Sequence, residues 1–159
     1  LGIEKAVVGA SCRAVDAAAR ELIYNAGYEG CFGHSLGHAT GLMIHEAPGC
    51  SWVNKTELKP GMSMTVEPGI YLPGKFGVRI ENLVVVREAE VNEYGRFLAL
   101  EPLTLVPYDR DAIDLSLLSS RDVELLNAYH AKVFAAISPY LSGDELEWLK
   151  AATEPVQFC

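Results

Sequence analysis

Positive charge is scarce in this chain and nowhere concentrated. Lys and Arg number 13 against 21 acidic residues, a net charge of -8, and no basic run occurs. That balance argues against a phosphate backbone as partner, so nucleic acid is not expected. No apolar run approaches the roughly 20 residues that a membrane-spanning helix needs, and no signal-peptide pattern opens the sequence. A soluble, cytoplasmic protein with no membrane partner is the expectation. Cysteine is sparse too: Cys12, Cys31, Cys50 and Cys159 are widely spaced, with no Cys-x-x-Cys pair. This is not the dense framework of a small secreted domain, and free thiols are expected. Internal repeats and low-complexity segments are lacking as well.

What is present suffices for a globular domain: 159 residues, half of them hydrophobic, enough to bury a sizeable core. From Ser11, a good N-cap, Val15, Ala18, Ala19, Leu22, Ile23 and Ala26 recur at helical spacing until Gly27 stops them. Gly9 and Ala10 are expected to separate this helix from the end of an earlier one.

Chemistry concentrates in residues 33–81. The stretch contains Gly33-His34-Ser35-Leu36-Gly37-His38, then Ile44-His45-Glu46, then Met64-Thr65-Val66-Glu67-Pro68-Gly69, then Gly77-Val78-Arg79-Ile80-Glu81. Gly37 and Gly41 weaken any helix here, so the histidine segment reads as extended chain. His34 and His38 then share a face about 13 Å apart, at roughly 3.3 Å per residue, too far to bind one ion directly. A helical zinc-binding pair is disfavoured further because no Glu follows the first His.

Lys59-Pro60-Gly61 is a turn that launches a strand, residues 62–67, with Met62, Met64 and Val66 on one face and Ser63, Thr65 and Glu67 on the other. The next strand is expected from about Gly77 to Arg87, with Arg79 and Glu81 on a shared face and burial on both sides. Carboxylates in such apolar strands are costly to bury alone, so a positive partner is expected. Any one histidine taken alone reads more readily as structural. Three of them, followed by Glu67 and Glu81, point to a metal site.

Asn92-Glu93-Tyr94-Gly95 reads as a hairpin turn, and Pro107 closes the sheet region. Ser119-Ser120-Arg121-Asp122 starts a helix expected to run to Ile137, with Leu126, Tyr129, Val133, Phe134 and Ile137 as its apolar stripe and His130 beside it. Pro139 ends it, and a last short helix follows Ser142. The expected division is 1–107 for the part carrying the histidines and glutamates, and 108–159 for a helical extension.

These motifs closely resemble the pita-bread metallopeptidases: methionine aminopeptidase, prolidase and Xaa-Pro aminopeptidase. Gly77-Val78-Arg79-Ile80-Glu81-Asn82, Glu101-Pro102-Leu103-Thr104-Leu105-Val106-Pro107 and the Leu126-Asn127-Ala128-Tyr129-His130 tail favour the Xaa-Pro aminopeptidase type. The resemblance implies an α+β fold, half of a pita-bread domain. It would have a mainly antiparallel curved sheet, flanking helices and a helical C-terminal extension.

The resemblance also implies that His38, Glu67 and Glu81 are metal ligands, with Glu67 also the general base. His34 and His45 become the substrate-side catalytic histidines, and Arg79 holds a ligand carboxylate in place. Two divalent ions sharing a hydroxide are implied, Mn²⁺ first, with Zn²⁺ or Co²⁺ as alternatives. Substrates would be peptides with proline in the second position, and the protein a homodimer. Two further aspartate ligands of the family have no match here, since Asp16 lies within a helix. The expectation is therefore a fragment that is inactive alone, its other partner being the N-terminal part of the same polypeptide.

Charge counting agrees: two divalent ions carry +4, and Glu67 with Glu81 supply only -2. Asn82 replaces a frequent Asp, and Ala39-Thr40 a more usual Gly-Val, so the substrate pocket is expected to differ. The competing expectation is a non-catalytic pita-bread module that binds peptides or proteins.

Overall fold

The computed structural model describes residues 9–157. The earlier helix expected before Gly9 lies outside them, as does Cys159. Internal packing divides the chain between Thr104 and Leu105 into two compact units.

The first unit is built on helix α1 (Cys12–Ile23) and a five-stranded antiparallel sheet. The sheet comprises β1 (Gly37–Ala39), β2 (Glu46–Cys50), β3 (Ser63–Val66), β6 (Asn82–Asn92) and β7 (Gly95–Pro102), in the order β2-β1-β3-β6-β7. Strands β4 (Gly69–Leu72) and β5 (Phe76–Arg79) form a separate two-stranded ribbon.

Ser11 caps α1 by accepting the Ala14 N–H at 3.3 Å, and Gly27, at φ +90°, takes the left-handed conformation that ends the helical stretch. The buried face of α1 carries Cys12, Val15 and Ala19. It joins one core with Leu36, Met64 and Val84, so apolar burial holds the helix on the sheet. Cys12, Cys31 and Cys50 are free thiols.

Two expectations for the strands change. The predicted strand from Gly77 to Arg87 is two strands, β5 and β6, separated by Ile80 and Glu81. Val78 and Ile80 give no local stop, but the Ile80 N–H donates to the Pro68 carbonyl at 3.3 Å and so extends the pairing of β5 with β4, whereas β6 pairs with β3 from Asn82 onward. Burial on both sides holds only for Val84, Val85 and Val86, whereas every residue of β5 is exposed. The hairpin at residues 92–95 forms as expected, with Asn92 opposite Gly95.

The second unit holds α2 (Ser120–Ile137) and α3 (Gly143–Ala152). Ser119 and Asp122 form a reciprocal capping box at the start of α2. His130 is fully buried and lies within the apolar stripe, between Val123 and Val133, not beside it. Its Nε2 accepts the Tyr108 N–H at 3.1 Å, and the rings of Tyr108 and Tyr129 stand 6.1 Å away. Among the described residues no helix is long and apolar enough to cross a membrane.

Candidate metal centre

Glu67 follows β3, and its backbone N–H donates to the Leu36 carbonyl at 2.8 Å. The chain then leaves through Pro68 into the β4–β5 ribbon, whose register sets Arg79 opposite Gly69. The ribbon thus returns Arg79 and Glu81 to the neighbourhood of Glu67. Arg79 Nη1 lies 3.7 Å from Glu67 Oε2, and its Nε lies 3.4 Å from Glu81 Oε2. A guanidinium linked to both carboxylates is the positive partner that the sequence called for. Tyr71, then Glu81 and Glu67, push the Arg79 pKa above its ordinary value, keeping it charged.

His38 stands on β1, where Gly37 permits an unusually close approach to β3. A Cβ at Gly37 would fall 1.8 Å from the Thr65 carbonyl oxygen, so only glycine fits. The His38 N–H donates to Thr65 Oγ1 at 3.0 Å, and that hydroxyl in turn donates to Glu67 Oε1 at 2.9 Å. His38 Nδ1 faces the Ala39 carbonyl at 3.0 Å, and Nε2 faces Glu67 Oε1 at 3.2 Å. A carbonyl only accepts, so Nδ1 carries the proton. With Nδ1 carrying its proton toward Ala39, His38 presents Nε2 to a carboxylate oxygen. Two such donor atoms face each other favourably only with a proton or a metal cation between them, so this pair fits a metal in the chemistry of its donors.

The His45 ring lies 4.4 Å from the His38 ring, on an exposed segment. His34 is turned toward the ribbon. Its Nδ1 donates to the Ser35 carbonyl at 2.7 Å, and its Nε2 is hydrogen-bonded to the Tyr71 hydroxyl at 2.9 Å. The structure thus joins His38 to Glu67 and to His45, joins Glu67 to Glu81 through Arg79, and leaves His34 on Tyr71. Among the described residues, no three His, Cys, Asp or Glu side chains converge closely enough to hold an ion as they stand.

Thr65 and Tyr71 were not singled out from the sequence. Thr65 shares the Glu67 face of β3, which was the available signal. Tyr71 had one in Gly69 and Gly77, where a Cβ would come within 2.5 Å and 2.8 Å of its ring atoms or hydroxyl.

The model of metallopeptidase family M24 matches residues 1–88, and that of the C-terminal region of peptidase M24 matches residues 96–156. The chain belongs to metallopeptidase family M24. Human Xaa-Pro aminopeptidase 2 is 38% identical over 152 residues, covering 92% of this chain and 22% of the human protein. X-prolyl aminopeptidase from Caenorhabditis elegans, described as a cytosolic enzyme with a di-nuclear active site, superposes with a TM-score of 0.83. That match has 35% identity and covers 94% of this chain and 25% of the nematode enzyme. Prolidase from Pyrococcus furiosus is 41% identical but covers only 62% of this chain and 27% of its own, with a TM-score of 0.54. This M24 chain therefore spans about a quarter of the length of the relatives it matches. Its fold is the expected α+β pita-bread type, with an antiparallel sheet and helices.

Proposed function

We propose that the protein to which this M24 chain contributes is a metallo-aminopeptidase that releases an N-terminal residue from a following proline. The extent of the likeness carries this reading. The C. elegans X-prolyl aminopeptidase matches 94% of the chain, second unit included, whereas the prolidase matches 62%. The second unit, expected as a helical extension over 108–159, therefore favours the longer Xaa-Pro aminopeptidases, such as the human and nematode ones, whose match extends over it.

In this reading His38, Glu67 and Glu81 hold divalent metal, two ions per complete site, with Mn²⁺ first and Zn²⁺ or Co²⁺ as alternatives. When bound, the ions supply a water of lowered proton affinity and polarise the scissile carbonyl. Glu67 is the general base that takes a proton and returns it to the leaving amine. Thr65 fixes one of its oxygens and Arg79 restrains the other. His45, beside His38, binds the substrate's carbonyl region and stabilises the charge developing there, and His34 joins it there when its Nε2 turns from the Tyr71 hydroxyl to the substrate. Arg79 bridges the Glu67 and Glu81 carboxylates. The cytoplasmic location is proposed because the nematode relative is described as cytosolic, and the homodimer is proposed with it as an expectation from the sequence.

The test is a comparison of peptides that differ only at the second residue, hydrolysed by the full-length polypeptide. Proline should be preferred over alanine by at least about 100-fold in kcat/KM, near 3 kcal/mol of discrimination. Equal rates would remove the Xaa-Pro assignment while leaving a metallopeptidase.

A further inference from the structure

Helix α1 carries an ion pair whose placement goes beyond packing. Asp16 is fully buried, and its Oδ2 and Oδ1 accept Arg20 Nε and Nη2 at 2.9 Å and 3.0 Å. The same Oδ1 accepts the Leu36 N–H at 3.0 Å. Arg20 Nη1 donates to the Phe32 carbonyl at 2.7 Å, and Nη2 donates to the His34 carbonyl at 2.8 Å. The guanidinium stacks 4.3 Å from the Phe32 ring and 4.6 Å from the Trp52 ring. One pair of side chains therefore fixes the backbone at residues 32, 34 and 36, and from there the connection runs on. The Leu36 carbonyl accepts the Glu67 N–H at 2.8 Å.

The geometry points to Asp16 and Arg20 as a positioning pair for the reaction, setting where the His34 imidazole and the Glu67 backbone sit relative to the core. The inference rests on the roles given above to His34 and Glu67. A buried ion pair is a poor device for stability alone, because an apolar pair of similar size does as well or better. What the fork of a guanidinium adds is direction. Arg20 spends four N–H groups, on three nitrogens, on a carboxylate and two carbonyls at fixed angles, which the point charge of a lysine cannot reproduce. Asp16 keeps the guanidinium oriented and charged, its carboxylate raising the Arg20 pKa. Neither residue reaches substrate, so each acts through the segment that it holds. A misplacement of about 1 Å at the reacting groups is enough to lower turnover by roughly two orders of magnitude.

The experiment replaces Arg20→Lys and Asp16→Asn in the full-length polypeptide. Three quantities are followed: kcat and KM on an Xaa-Pro peptide with Mn²⁺, the thermal midpoint, and the ¹⁵N resonances of His34 in metal-free protein. Those resonances are assigned by the loss of signal in His34→Gln. Arg20→Lys should lower kcat about 10- to 100-fold while KM changes by less than about threefold. The midpoint should fall only a few degrees, and the His34 resonances should shift. Asp16→Asn, which keeps the acceptor for Leu36, should lose less turnover than Arg20→Lys. Wild-type kcat with unshifted His34 resonances would overturn the inference. So would activity lost only in proportion to the folded fraction, or failure of both variants to fold, which would make the pair an anchor and nothing more. If the unaltered polypeptide shows no metal-dependent hydrolysis, the site reading fails. The His34 resonances still decide whether the pair positions that ring.

Discussion

At Glu67 three neighbours divide the two carboxylate oxygens: the Thr65 hydroxyl and His38 Nε2 on Oε1, and Arg79 on Oε2. Glu67→Gln keeps the size of the side chain and much of its hydrogen bonding but removes both the proton acceptor and the negative charge. In the full-length polypeptide it should lower kcat by about 10²–10⁴-fold or more, with a thermal midpoint within a few degrees of the parent. A variant that retains substantial turnover would place the base elsewhere. His130 is the contrasting case, a histidine that works for the fold. Burial, then the nearby Arg110 charge, pull its pKa below the ordinary 6.5. On acidification through 6.5 the unfolded chain takes up this proton before the folded one, so the contribution to stability is lost as pH falls from there toward the folded-state value. Urea unfolding at pH 7.5 and pH 5 should show lower stability at the acidic pH. Other groups contribute to that drop, so the His130 share is the part that disappears in His130→Gln.

Among the elements, β1 and β3 are held unusually close, and the contact is what brings His38 to Glu67. Gly37→Ala would drive a methyl group into the Thr65 carbonyl, 1.8 Å from where its Cβ must lie. Backbone cannot yield as a flexible side chain does, so the cost should reach about 1–3 kcal/mol or more, read as a lower unfolding midpoint. An unchanged midpoint would mean that the two strands are free to separate. Capping gives a milder case: Ser119→Ala removes the box at the start of α2 and should cost about 1 kcal/mol.

That box, the Ser11 cap, the Gly27 stop and the 92–95 turn were legible in the sequence because each is a local rule with a residue type attached. The break between β5 and β6 was not. Val78 and Ile80 carry no local stop signal, and the break exists because the segment changes partners, from β4 through Ile80 to β3 from Asn82 onward. His130 was misplaced to the side of its stripe because a polar residue at a core position leaves no periodic signal. The residues of the candidate site were named in advance from their motifs. Their connections through Thr65, Tyr71, Asp16 and Arg20 depend on which segments meet in space, and spacing along the chain does not encode that.

For the whole molecule, the central quantity is charge against metal. His38, Glu67 and Glu81 bring a formal -2 toward the +4 of two divalent ions, and the chain spans about a quarter of its relatives. The 159 residues by themselves should therefore bind Mn²⁺ weakly and hydrolyse nothing. A fragment whose peptidase activity is abolished by a chelator and restored by Mn²⁺ would show the ligand count to be wrong.

The most direct test of the account is made on the full-length polypeptide, stripped of metal with a chelator and titrated with Mn²⁺, while release of the N-terminal residue from an Xaa-Pro peptide is followed. The account predicts no turnover in stripped protein, saturable recovery as Mn²⁺ is added, and no recovery in Glu67→Gln. Turnover untouched by chelation would contradict it. So would a correctly folded protein that binds such peptides yet cleaves none at any Mn²⁺ concentration, which is the behaviour of a non-catalytic binding module.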